Sequence, residues 1–194
     1  MCSYGSTPDG GLSQRRRIPC LEETSEASDG FDGAESSISA QKLKQGRLGQ
    51  TSYAIIDVSS CYIVGWGMYN TLDASNAIEV LDKAVARYGA PEIINSNQGV
   101  QYTYEDWHRA CDGYGIRISM DGRARCLDNV WIERFWRTIK REYVYLNPES
   151  TVGELRRGIM QYLDYYNNRC CHQGLAHQGL AHQTPRAVYA AVAT

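Results

Sequence analysis

An α/β fold built on a mixed sheet is what this 194-residue sequence predicts, and three observations carry the prediction. Two apolar runs, residues 53–58 and 61–68, are separated by the small polar pair Ser59-Ser60, the pattern of an antiparallel hairpin. After them, stretches with helical spacing alternate with brief apolar runs at 92–95 and 116–120. Beyond residue 128 the chain reads as helix only. Hairpin, then helix, strand, helix, strand and helices describes a mixed sheet layered by helices.

Each element has a local cause. Asp73 starts a helix whose buried face is Ala77, Leu81, Ala84, Val85 and Tyr88; Gly89 closes it and Pro91 prevents it restarting. Residues 92–95 run as a short strand into the polar loop Ser96-Asn97-Gln98-Gly99. Residues 103–106 cap a helix that ends at 113–115, residues 116–120 form the next strand, and 121–125 form a basic loop. Asp128 and Asn129 are good helix starters, because short polar side chains accept from first-turn amides. In the helix they start, Ile132, Trp136 and Ile139 make an apolar stripe. Asn129, Glu133, Arg137 and Lys140 make an adjacent polar one, which a Glu–Arg-paired surface helix would also show. Thr151-Val152-Gly153-Glu154 is a capping box for a helix through Tyr166, and a last helix starts at Pro185.

Residues 1–50 differ. They are rich in Ser and Gly, carry the basic triplet Arg15-Arg16-Arg17, and show few hydrophobes without period. They are expected to be disordered or unrelated to the fold, which would occupy residues 51–190. No apolar run approaches the ~20 residues of a membrane span. Seven cysteines, an odd number with no Cys-x-x-Cys pair, read as reduced thiols of a cytoplasmic protein rather than a disulfide or zinc framework.

Net charge is −2, which excludes a bulk electrostatic signature of nucleic-acid binding. Between Tyr114 and Tyr145, however, seven basic residues face four acidic ones, a local balance of +3. A modest basic strip on a neutral protein fits contact with phosphates. The carboxylate of Glu133, held on a helix with cations above it, suits a metal ion lying beside a phosphate backbone.

Three stretches then stand in order: Asn95-Ser96-Asn97-Gln98-Gly99-Val100-Gln101-Tyr102, the run from Ser119 to Glu133, and Tyr165-Tyr166-Asn167-Asn168 with His172 and Thr184-Pro185 beyond. In that order they resemble the catalytic core of bacterial insertion-sequence transposases, over roughly residues 53–189. The resemblance implies a ribonuclease-H-like sheet flanked by helices. It also implies DNA integration and transposition by phosphoryl transfer, with three carboxylates holding two Mg²⁺ or Mn²⁺ ions. The implied partners are DNA (element ends and target), further copies or an intact transposase, and no membrane; the implied place is the bacterial cytoplasm, at the nucleoid when DNA is bound.

Carried over residue by residue, the final Glu is Glu133 and the second Asp falls on Asn97, 36 residues earlier. Lys140 sits where the family places a DNA-contacting cation, and Arg123, Arg125, Arg137 and Arg141 complete the expected DNA face. The family's first Asp, in a strand about 17 residues before the position of Asp57, has no counterpart. Asp57 aligns instead with an aspartate on the second strand that the family does not use for chemistry, although an Asp in a strand makes it a candidate first ligand. The first central strand is therefore expected to be lacking or replaced, and residues 36–41 are a poor substitute. Asn at 97 and no first Asp imply a copy without strand-transfer activity. The alternative is a non-enzymatic DNA-binding or oligomerising fragment that modulates an intact transposase; a third reading is a metal nuclease using Asp57, Asn97 and Glu133. In the tail Cys170-Cys171 replace the family's Arg-Pro, and Gly-Leu-Ala-His-Gln occurs twice in tandem. That duplication accounts for the spacing of His172, His177 and His182 without a metal.

Overall fold

The computed structural model describes residues 37–45, 49–96, 99–120, 130–170 and 183–192. Five strands, β1 (Ser37–Gln45), β2 (Gln50–Asp57), β3 (Ile63–Tyr69), β4 (Ile93–Ser96) and β5 (Arg117–Met120), form one sheet in the order β3-β2-β1-β4-β5. β1 is antiparallel to β2 and parallel to β4, and β4 is parallel to β5. Every residue of β2 is buried, as both covered faces of an inner strand require.

The helices lie in two layers. On one face α1 (Ala74–Tyr88), α2 (Val100–Thr103) and α3 (Glu105–Gly113) bury Val80, Leu81, Tyr102 and Trp107 against Tyr53, Ile55 and Ile94. On the other, α4 (Val130–Ile139), α5 (Val152–Asn168) and α6 (Pro185–Val192) bury Ile132, Phe135, Ile139, Ile159, Tyr166 and Val188 against Ala54, Ile56 and Ile63. β2 feeds both clusters by strict alternation: Tyr53 and Ile55 to one, Ala54 and Ile56 to the other.

One expectation is settled between its two alternatives here, and one is corrected. The central strand is replaced rather than lost, because Ser37–Gln45 occupies it and pairs with both neighbours. Order therefore begins by Ser37, not near Thr51, and the disorder expected of residues 1–50 does not hold for 37–45 and 49–50. The physical reason is that a ladder needs backbone N–H and C=O groups, which a Ser- and Lys-rich segment supplies as well as an apolar one. The local predictions hold: Asp73 is the N-cap of α1, Gly89 closes it at φ 87°, and the Thr151–Glu154 capping box is complete.

Sequence gave no warning of how α4 ends. It runs into a π-helical turn (Lys140–Val144), in which the Tyr145 amide reaches back to the Lys140 carbonyl at 2.9 Å. The turn aims Glu142 and Tyr143 at α5. The Tyr162 hydroxyl donates to Glu142 Oε2 at 2.7 Å. The Tyr143 hydroxyl donates to Glu149 and lies where a β-carbon on Gly158 would sit, so only glycine fits there.

α5 also clips the sheet's edge. Asn167 Nδ2 donates to the Ile63 carbonyl (3.1 Å), and its Oδ1 accepts from the Ile63 amide (3.0 Å). One side chain thus answers two backbone groups that edge strand β3 would otherwise leave open. α6 docks beside this clip through Tyr189, stacked on Tyr62 at 4.9 Å with Tyr88 edge-on to both.

Asn167→Ala, which leaves both buried Ile63 groups without partners, is expected to cost about 2 kcal/mol in urea unfolding at unchanged slope. Burial pushes the Glu142 carboxyl up, an effect partly offset by the Tyr162 hydroxyl. A raised carboxyl binds its proton more tightly folded than unfolded, so its contribution to stability falls as pH rises from the unfolded pKa through the folded one. Glu142→Gln is therefore expected to raise the melting temperature near pH 7 relative to wild type and to lose that advantage near pH 4; a constant difference across pH would refute it.

Candidate nucleic-acid interface and the incomplete metal centre

α4 carries Glu133 and Arg137 of the expected site. Its apolar stripe is more complete than the periodicity suggested, because Phe135 joins Ile132, Trp136 and Ile139 in the core. That burial fixes the helix's rotation and turns Glu133 and Arg137 outward, both exposed. The π turn then carries Lys140, half-buried, and Arg141, exposed. The Glu–Arg pairing of an ordinary surface helix is not found. Among the described residues the ion pairs are Lys83–Glu79, Arg109 with Glu105 and Asp106, and Arg117–Glu92, all on other elements. Arg134, by contrast, is drawn off the strip and lies 5.4 Å above the Trp131 ring.

β1 packs against α4. Its positions 39 and 41 partner Ile56 and Ala54, which belong to the core on the α4 side, so those two positions share the face that α4 covers. Parallel pairing with β4 ends at Ala40 opposite Ser96, the residue before Asn97. A first carboxylate at the level of position 97 therefore belongs near residues 39–41, where the chain reads Ser-Ala-Gln. The whole strand, Ser-Ile-Ser-Ala-Gln-Lys-Leu-Lys-Gln, holds no acid.

Asp57 does not make up the deficit. It stands opposite Ile38, one step beyond Ser39 on the β1–β2 ladder, and is buried. Its Oδ2 accepts from the Ser59 hydroxyl (2.7 Å), the Ser60 amide (2.8 Å) and the Ser60 hydroxyl, tying the turn between β2 and β3. That turn places Cys61 at φ 57° with its thiol pushed up to about 12, first by burial and then by Asp57. An oxygen holding three donors in a turn is a structural acceptor. Asn97, Arg123, Arg125, His172, His177 and His182 lie outside the described residues, as does Asn129.

The donors present do not fit a pair of divalent ions. Hard cations close together need anionic oxygens to offset their repulsion. Here there is Glu133, an amide at 97, and no acid on β1. Among the described residues no group of three or more His, Cys, Asp or Glu side chains is placed to hold a metal. Nor, among them, is any helix long and apolar enough to cross a membrane.

Sequence reasoning missed two residues that the structure shows at work. Asn167 was visible only as part of a motif, although a polar residue four beyond Leu163 on the apolar stripe of α5 was a signal of a buried bond. Glu142 was one more acid in a charge count, and nothing local announces a π turn.

Known proteins agree with this geometry. Two family models, both described as Integrase core domain, match residues 45–126 and 114–185. The InsK transposase of insertion sequence element IS150 from Escherichia coli K12 is 29% identical over 59% of this chain and 41% of its own length. The transposase of IS904 from Lactococcus lactis IL1403 is 31% identical over 62% of this chain and 49% of its own. The chain thus spans under half the length of these relatives. The HTLV-2 integrase catalytic core domain, solved in complex with magnesium in a dimeric form, superposes with a TM-score of 0.60 at 14% identity, over 80% of this chain and 96% of that one. Strand order, the helix carrying Glu133 and these matches agree: the chain belongs to the integrase-core family of mobile-element transposases, with a ribonuclease-H-like fold.

Proposed function

We propose that this protein holds DNA on the α4 face without cutting or joining it. The observation that carries the reading is the donor set: one carboxylate on α4, none on β1, and an amide at 97. In-line phosphoryl transfer by two ions demands that both attacking and leaving oxygens be stabilised, and a single exposed carboxylate holds neither ion firmly. DNA binding needs less. Arg137, Lys140 and Arg141 lie along α4 and its π turn, and cations so placed neutralise phosphates whatever becomes of the metal site. Arg123 and Arg125, earlier in the sequence than α4, extend the same run of cations.

The DNA is that on which the relatives act, the ends of an element and its target, and an intact transposase is the natural competitor. A core that occupies those ends without turnover modulates transposition by exclusion. Assembly with further copies, known for the dimeric HTLV-2 core, would strengthen it.

Duplex binding is expected to weaken with salt, and the combined variant Arg137→Gln/Lys140→Gln/Arg141→Gln to lower the log–log slope by about one per cation removed. A salt-independent or unchanged slope refutes the DNA face.

Manganese titration of the wild type is expected to show no pair of tightly held ions. Asn97→Asp alone should leave that unchanged, because the β1 donor is still missing. Asn97→Asp combined with Gln41→Asp or Ser39→Asp, one at a time, should create manganese binding in one of the two combinations. Tight binding by the single variant would overturn the account of β1.

A further inference from the structure

We infer that Tyr145 and Leu146 form a base-stacking step at the end of the α4 strip, taking unpaired bases of a DNA strand whose phosphates lie along Arg137, Lys140 and Arg141. The inference deepens the DNA-face reading and rests on it. These two are the most exposed large hydrophobic side chains among the described residues, at 70% and 68%. Helical period alone would not leave Leu146 there. Ile132, Ile139 and Leu146 recur at intervals of seven, two α turns each, so an unbroken α-helix would carry Leu146 on along the buried stripe. The π turn widens the helix at Lys140–Val144, and Leu146 leaves that stripe for solvent.

The pair stands on a fixed backbone. The Tyr145 amide donates to the Lys140 carbonyl at 2.9 Å, one turn back along the strip. The Tyr143 carbonyl accepts from the Leu146 amide (3.1 Å), the Asn147 amide (3.0 Å) and Asn147 Nδ2 (2.8 Å). The nearest acids in sequence are engaged within the fold, where Tyr162 donates to Glu142 and Tyr143 to Glu149. A phenol presented in this way beside cations suits a nucleotide, because every base has a π face and its phosphate seeks positive charge. A blunt duplex hides those faces in its own stack, so the ligand is a strand with unpaired bases. An apolar patch on a protein would also cover the ring, but interface cores are depleted in charge, and this ring continues a row of cations.

The test compares a blunt duplex with the same duplex carrying a short single-stranded overhang, each bound to the full chain. The overhang is expected to tighten binding. Tyr145→Ala should lower affinity for the overhang DNA about tenfold and change the blunt duplex by less than about twofold. Tyr145→Phe, which keeps the ring, should bind like the wild type. The salt slope should be the same in Tyr145→Ala as in wild type, because no cation is removed; a lower slope would mean that the strip itself is disturbed, and would overturn the assignment. With 5-iodouracil in the overhang, irradiation and peptide mass spectrometry are expected to find the base joined to Tyr145. Equal affinity of wild type and Tyr145→Ala for the overhang DNA, or a cross-link to other residues only, sinks the stacking step and leaves the DNA face standing. Binding of neither DNA sinks both. Self-association that is lost in the Tyr145→Ala/Leu146→Ala variant at unchanged DNA affinity would give the pair to a contact between copies, and so overturn the assignment.

Discussion

Pairing of β1 with both of its neighbours is the constraint from which the rest of the structure follows. β2 and β4 are not adjacent in the sheet; each presents a row of backbone donors and acceptors toward the space between them. Left open, those rows would be buried beneath helices on both faces with nothing to bond, at a cost no core of this size could absorb. Ser37–Gln45 closes both rows, antiparallel on one side and parallel on the other. With them closed, β2 can bury all eight of its residues and feed two cores at once.

That closure also explains which parts were legible in advance. The β2–β3 hairpin, the limits of α1 and the start of α5 are announced by residues acting locally: Ser59-Ser60 in a turn, Asp73 and Gly89 at the ends of a helix, Thr151 and Glu154 in a reciprocal cap. β1 announces nothing, because Ser, Gln and Lys have little preference for strand and its conformation is imposed by partners distant in sequence. The π turn after Ile139 was equally silent. It is selected by the fit of Glu142 and Tyr143 against α5, where Gly158 leaves room for a phenol. The outward direction of Glu133 and Arg137 was legible because helical period and an apolar stripe fix which way they point. What Asp57 does in the turn was not legible, because a sequence does not show that Ser59 and Ser60 bond its oxygen.

Fold and chemistry thus place different demands on one strand. The ladder asks β1 for amides and carbonyls, which any residue but proline provides. Metal chemistry asks for a carboxylate at one position, and substituting a neutral side chain there changes nothing in the ladder. A chain can therefore keep the sheet, the two helical layers and the outward face of α4 while losing the ion pair at their meeting point. The same separation governs the cations. Arg137, Lys140 and Arg141 owe their positions to the burial of Ile132, Phe135, Trp136 and Ile139 behind them, not to any ion in front. The outward cationic face of α4 and its π turn is thus set by the core.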